Sequence, residues 1–330
     1  MTEPTAQMLD AEPTVDLRPA LSALKRGELV AIPTETVYGL AADAHNSAAI
    51  DAVYALKGRP SDHPLIIHLG DLSWLDRYAD PVPQAARDLA QAHWPGPLTL
   101  VVPASANVNR RVTGGAATVA LRMPEHPISQ SLLRAFGRGL VAPSANRYGS
   151  ISPTSADDVR AEFGARGPLI VDGGRCEMGI ESTIVDCTVE PPRLLRPGSL
   201  RLPELDSLLA DHLGPRAPGR VERHYAPTTP AYLIACEHWT QALANSTGTD
   251  FLALSWEPLP VGVRGLVLPA AADEYARALY QSLRQLDQAK PRRILVQAVP
   301  AGGEWMAVAD RLSRATVPAD GAMSGDNGGD

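Results

Sequence analysis

Two periods of apolar and polar positions run along this chain. Over Asn46–Lys57, Ile50, Val53 and Tyr54 recur at helical spacing and Gly58 follows as a stop, which predicts a helix. Glu28–Pro33 reads as a strand leading into a loop. Short apolar runs at Leu65–Leu69, Leu98–Val102, Thr118–Leu121, Leu140–Ala142, Leu169–Val171, Ser182–Asp186 and Leu194–Leu195 predict further strands. Helices are predicted near 83–93, 127–136, 154–163 and 203–212. Strands alternate with helices, yet several strands follow one another directly. That predicts a mixed α/β sheet rather than a purely doubly wound one.

The periodicity lapses at Gly214-Pro215-Arg216-Ala217-Pro218-Gly219-Arg220, which reads as a linker because Gly and Pro punctuate it. It resumes near Ala231. Ala231–Ala235, Phe251–Leu254, Leu266–Leu268 and Arg293–Val296 read as strands. Glu274–Leu286 reads as a helix carrying Leu279, Leu283 and Leu286. The predicted division is a disordered start over 1–14, a first domain over 15–212, a linker over 213–230, a smaller three-layer α/β domain over 231–315 and a disordered Gly/Asp-rich tail over 316–330. No internal repeat is visible.

Composition narrows the classes. A hydrophobic share of 45% and a charged share of 20% suit a chain that buries a full core. The formal net charge of -7 argues against a dedicated nucleic-acid binder, though not against a small basic patch. Cys176, Cys187 and Cys236 have no CxxC spacing and no nearby His set, so neither a zinc site nor a disulfide framework is readable. An odd count of three suits reduced thiols in a cytosolic protein. The acidic start, Met1 to Pro19, lacks an apolar signal core, and no apolar run approaches a membrane span, so a cytoplasmic protein without membrane contact is expected.

The chemistry is marked first by what is missing. There is no nucleophile elbow, no HExxH and no G-x-x-x-x-G-K-[ST] loop. What remains is hydroxyls, basic residues and loops shaped by an excess of proline, 30 residues in all. Lys57 and Arg59 stand two apart beside a turn in Lys57-Gly58-Arg59-Pro60-Ser61. Such a pair suits a polyphosphate, because Arg binds phosphate oxygens with a planar fork and Lys acts as a point charge. It equally suits a basic helix end that complements the dipole. Thr118 and Arg122 are four apart, so on a strand they share a face. Arg122 lies between Leu121 and Met123, and a buried Arg needs an anionic partner. Such a set suits reactions driven by positioning and charge neutralisation, for instance attack of a carboxylate on an α-phosphate.

Six blocks in order carry a resemblance. They are Ala31-Ile32-Pro33-Thr34-Glu35-Thr36-Val37-Tyr38-Gly39-Leu40 with the Lys57–His68 segment, Trp94-Pro95-Gly96-Pro97-Leu98-Thr99, Val119-Ala120-Leu121-Arg122-Met123-Pro124, Ala142-Pro143-Ser144-Ala145-Asn146, Gly179-Ile180-Glu181-Ser182-Thr183-Ile184 and Leu195-Arg196-Pro197-Gly198. Over roughly residues 15–205 the chain resembles the threonylcarbamoyl-AMP synthases with a YrdC-like catalytic domain. Arg223-His224-Tyr225-Ala226-Pro227 and the region beyond resemble the long, two-domain form. The resemblance implies a YrdC-like twisted mixed sheet with helices, plus the smaller α/β three-layer domain. It implies ATP-dependent synthesis of threonylcarbamoyl-AMP from L-threonine and bicarbonate or CO2, with pyrophosphate released and Mg2+ accompanying the ATP. The product then serves tRNA threonylcarbamoyl-transferase proteins in modifying the adenosine next to the anticodon, with a weak tRNA contact conceivable for the domain itself.

The resemblance also implies roles. Thr36, His68, Arg122, Ala142 and Ser182 fall at threonine-binding positions. Lys57, Arg59, His63, Thr118, Ser144, Ser152, Arg196 and Tyr225 fall at ATP-binding positions, and Lys57, Arg59 and Arg122 carry the catalysis. No residue falls at a metal-binding position. His63 departs from the family, which often has Asn there, and its charge would vary near neutral pH. Ser152-Pro153 also reads as a helix cap. Pro218-Gly219-Arg220 matches the family linker, which with Arg216, Arg223, His224 and Tyr225 is expected to act as a lid over the site. Two other readings stand beside this one: an RNA-binding module, and a carbamoyltransferase working through carbamoyl-AMP. The relatives of the latter carry zinc fingers or a second metal domain, and neither is seen here.

Overall fold

The computed structural model describes residues 15–208, 224–246 and 250–318. The expected disorder at 1–14, residues 319–330 of the tail, and Arg216, Arg220 and Arg223 of the linker lie outside the described residues.

Nine strands form the first sheet: β1 (Val30–Ile32), β2 (Gly39–Asp43), β3 (Ile66–His68), β4 (Leu98–Pro103), β5 (Thr118–Arg122), β6 (Leu140–Val141), β7 (Leu169–Ile170), β8 (Thr183–Asp186) and β9 (Arg193–Arg196). Their order is β7-β1-β2-β6-β3-β5-β4-β8-β9. Three pairings, β7 with β1, β3 with β5 and β4 with β8, are parallel and the rest antiparallel, so the sheet is mixed as expected. The predicted strands recur with ends moved by one or two residues. β2 was not predicted. Its Gly-Leu-Ala-Ala-Asp sequence is poor in strand formers, and pairing on both sides with β1 and β6 overrides that preference.

The predicted helix at Asn46–Lys57 forms over Ser47–Lys57. Asn46 caps it by accepting from the Ala48 and Ala49 amides, and Gly58 ends it at φ 63, a conformation that costs glycine little. Helices also form over Gln84–His93, Pro127–Phe136 and Ala156–Phe163. The 203–212 prediction is corrected in type: Pro203–Leu208 is a 3-10 segment, and the remainder lies outside the described residues. A helix over Arg18–Lys25 was missed, although Ala20, Ala23 and Leu24 stand at helical spacing and form its buried face.

A second sheet holds β10 (Ala231–Ile234), β11 (Phe251–Ser255), β12 (Gly265–Val267), β13 (Arg293–Gln297) and β14 (Val317–Pro318), all parallel, in the order β12-β11-β13-β10-β14. Val317 and Pro318 fall inside the predicted disordered tail and instead extend this sheet. Side chains alternate between two cores. Leu252, Leu254, Ile294 and Val296 pack with the helices over Ala272–Gln288 and Met306–Ala315, and Phe251, Ala253 and Leu295 with the helix over Cys236–Asn245. Helices on both faces of a parallel sheet make the three expected layers. Val37, Ile151, Ile180 and Tyr225 share the first of these cores, so the second sheet's helices are fused to the rim of the first.

Candidate functional site

The site forms where β3, β5 and β4 lie side by side. Register places His68 opposite Arg122 and Arg122 opposite Thr99. Ser182, immediately before β8, bonds Thr99 through their hydroxyls at 2.7 Å. A row of His68, Arg122, Thr99 and Ser182 thus crosses the sheet, assembled from residues up to 114 positions apart by strand register for the first three and by the hydroxyl pair for Ser182.

A cleft opens over this row. Arg59, His68, Arg122, Ala142, Ser144, Ser182, Arg196 and Tyr225 line it, together with Val37, Glu181 and His224. Eight of the predicted site residues are therefore brought together. Lys57 stands behind Ser144: its Nζ donates to the carbonyls of Ser144 and Asn146 at 2.6 Å each, holding the loop. Ser152 stands behind Glu181, donating to its Oε1 at 2.6 Å. Thr36 pairs with the Thr34 hydroxyl at 2.9 Å one residue from Val37. His63 lies beside Tyr148, their Nδ1 and hydroxyl 3.2 Å apart. Thr118 is not among the lining residues; it shares the face of Arg122 but lies four residues, roughly 13 Å, along β5.

Buried charge dominates the electrostatics. Lys57, Arg59, Arg122 and Arg196 are all at least nine-tenths buried. Burial pulls the Lys57 ammonium down to about 7, with Arg59 adding to the effect. Burial likewise lowers Arg59 and Arg196. His68 falls to about 3 through burial and then the Arg122 charge, and His224 to about 3 chiefly through burial, so both rings are neutral at pH 7.

Two carboxylates answer these cations, and the sequence reading gave neither a role. Arg122 donates to Glu35 at 2.6 Å. Glu181 accepts from Ser152, from Tyr280 at 2.9 Å and from Arg311 at 2.8 Å. Burial opposes its charge, but Arg311 and Arg196 outweigh that and hold its carboxyl at about 2. The available signal was an acid set among hydroxyl and apolar residues in Thr34-Glu35-Thr36 and Ile180-Glu181-Ser182.

Five buried polar atoms of the cleft and its wall find no hydrogen-bond partner among the described residues: Glu35 Oε2, His68 Nδ1, Arg122 Nε, His224 Nδ1 and Tyr225 Oη. Unpaired buried polar atoms are uncommon, and five together mark a polar site. Tyr225 also has φ 62, a left-handed conformation rare for a bulky residue, with its ring 4.0 Å from that of His224 and 5.6 Å from that of Tyr280. A roomier cleft of about 360 Å3 lies between residues 177–202 and 272–308, but it holds none of the predicted site residues.

These features define a two-domain α/β protein with a cationic, hydroxyl-rich cleft at the centre of its mixed sheet. Residues 22–198 match the family model Sua5/YciO/YrdC, described as telomere recombination, and residues 195–317 match the threonylcarbamoyl-AMP synthase C-terminal domain. The threonylcarbamoyl-AMP synthase of Pyrococcus abyssi is 39% identical over 320 residues, covering 91% of this chain and 94% of that protein. That of Bacillus subtilis is 37% identical, covering 90% and 91%. The crystal structure of P. abyssi Sua5 complexed with L-threonine superposes with a TM-score of 0.84 at 37% identity, covering 91% of this chain and 94% of that one. The chain belongs to the Sua5/YrdC family of threonylcarbamoyl-AMP synthases.

Proposed function

We propose that this cleft makes threonylcarbamoyl-AMP from L-threonine, bicarbonate or CO2, and ATP, with release of pyrophosphate. The observation that carries the reading is the meeting, in one cleft, of the His68 Nδ1 and the Arg122 Nε, each without a hydrogen-bond partner among the described residues, with the cations Arg59 and Arg196. One end of the cleft suits an amino-acid carboxylate, the other a triphosphate. The threonine amine adds to CO2 and loses a proton, giving a carbamate. A carbamate oxygen then attacks the α-phosphorus, the bond from that phosphorus to the bridging oxygen breaks, and pyrophosphate leaves with the electron pair.

Arg122 and His68 would hold the threonine, with Ser182, Thr36 and the Ala142 backbone around its side chain. Lys57, Arg59 and Arg196 would stabilise the charge that moves onto the pyrophosphate, a role in which each preorganised donor is worth on the order of 2–4 kcal/mol. Ser144, His63, Ser152, Thr118 and Tyr225 would serve the rest of ATP. The cleft encloses only about 50 Å3, far below what ligands of this size occupy. In this reading His224 and Tyr225, the described end of the linker over 213–230, swing aside to admit ATP and return to exclude water from a hydrolysable mixed anhydride.

Among the described residues no group of three or more His, Cys, Asp or Glu side chains could hold a metal ion. The carboxylates present are already engaged by Arg122 and Arg311. The residues therefore do not make a cage for Mg2+, which in this reading enters bound to the ATP phosphates. No helix among the described residues is long and apolar enough to cross a membrane. Transfer of the product to tRNA falls to downstream transferase proteins.

The test is pyrophosphate release from ATP with bicarbonate, comparing threonine, serine and no amino acid. Release stimulated by threonine well above the blank is expected. Release that ignores the amino acid would overturn the reading. Because one methyl discriminates by only roughly 1–3 kcal/mol, serine should be a weaker but measurable substrate.

A further inference from the structure

The second domain sends two side chains to the rim of this cleft. Arg311, on the helix over Met306–Ala315, is wholly buried. Its Nε donates to Glu181 Oε2 at 2.8 Å, its Nη1 to the Pro197 carbonyl at 3.1 Å, and its guanidinium carbon stands 5.3 Å from the centre of the Tyr225 ring. Tyr280 donates to the same Oε2 at 2.9 Å. Glu181 is the residue before Ser182, and Pro197 the residue after Arg196. Arg196 in turn donates to the Ser182 carbonyl at 3.1 and 2.8 Å. The two segments are clamped against each other. A Cβ on Gly198 would come within 2.2 Å of the Thr183 nitrogen and 2.3 Å of the Ser182 carbonyl carbon, so they meet with no room to slip.

We propose that Arg311 is a positioning residue for the reaction: by gripping Glu181, Pro197 and the face of Tyr225 together, it sets where Ser182, Arg196 and Tyr225 stand in the cleft. The C-terminal domain then completes the substrate site. The physical reason is rigidity. A planar guanidinium bonded at once to Glu181, to the Pro197 carbonyl and, at 2.6 Å, to Asp310 of its own helix fixes the spacing of the two segments, and Lys, a single point charge on a flexible stem, cannot. The inference rests on the threonine and ATP assignments above only for its kinetic consequence, not for the geometry.

Arg311→Met alone would leave the buried Glu181 charge unpaired and could fail to fold. The informative protein is the full chain carrying Arg311→Met with Glu181→Gln, which removes both charges of that pair together and leaves Asp310, the other carboxylate on Arg311, still paired with Arg314. Three things are read: thermal stability, the KM for threonine and for ATP with kcat, and amide exchange across 181–183 and 197–199. The expected result is stability near that of the parent, KM values raised about tenfold or more with kcat changed less than about threefold, and faster exchange in both segments. Arg311→Lys, which keeps the charge but not the fork, should show the same KM rise. If KM and exchange both recover with stability in the double variant, Arg311 is only structural and the proposal is overturned. If the parent shows no threonine-dependent pyrophosphate release, the functional reading fails separately. Exchange then decides: faster exchange at the two segments upholds the positioning role, and unchanged exchange overturns it.

Discussion

Arg122 and Glu35, 87 positions apart in sequence, meet at 2.6 Å with both side chains buried. The anion that a buried arginine requires is thus supplied by the chain itself, while Arg122 Nε and Glu35 Oε2 keep unused hydrogen-bonding capacity.

Arg122→Ala should therefore do two things at once. It strands Glu35 in the interior, a loss of roughly 3–5 kcal/mol when one partner of a buried pair is removed. It also removes the proposed grip on threonine, so the KM for threonine should rise by at least tenfold in whatever fraction folds. Chemical denaturation and pyrophosphate release measure the two effects. An unchanged KM for threonine would show that the carboxylate is held elsewhere.

Lys57 is both a scaffold and a charge. Its Nζ holds the Ser144 and Asn146 carbonyls, so Lys57→Ala should lower stability as well as turnover. Because burial brings its ammonium to about 7, the charged form is present below that pH and lost above it. The kcat/KM for ATP should show a falling limb near pH 7 in the parent. That limb should be absent in Lys57→Arg, whose guanidinium stays protonated.

His68 and His224 make the fold sensitive to acid. Both take up a proton at about 3 when folded and at about 6.5 when unfolded. Between those values the unfolded chain binds more protons, so stability falls as pH drops through this window and levels off below it. Each histidine contributes up to a tenfold change in the folding equilibrium per pH unit. Glu181, held at about 2, adds its own loss only below about pH 4.5. Denaturation between pH 6.5 and 4.5 should show the steep slope in the parent and a shallower one in His224→Gln. Parallel slopes would refute the assignment.

Gly198 is a steric requirement, since any Cβ there overlaps backbone atoms of Glu181, Ser182 and Thr183. Gly198→Ala should cost on the order of 1–3 kcal/mol, the usual range for overpacking, and displace Ser182 and Arg196. Heat denaturation with threonine and ATP titrations checks both, and parent-like behaviour would mean the segment has slack.

Legibility in the sequence followed the range of the interaction. Helical spacing of Ile50, Val53 and Tyr54, the Gly58 stop and the continuous apolar run at Phe251–Leu254 are local, and the elements formed where they pointed. The strand period placed Thr118 and Arg122 on one face, but nothing local says how far along a strand a cleft extends, and Thr118 lies outside its lining. β2 escaped notice because its pairing partners, not its residues, make it a strand.

The sequence by itself determined which groups were available: basic side chains beside turns, hydroxyls in proline-shaped loops, an arginine between apolar neighbours that had to find an anion. Only the tertiary structure decided which anion. Glu35 against Arg122, and Glu181 against Arg311 across 130 positions, are fixed by strand register and by the packing of one domain on the other. No periodicity within a segment encodes either, because the energy of a buried ion pair depends on where two distant segments meet and how much water they exclude.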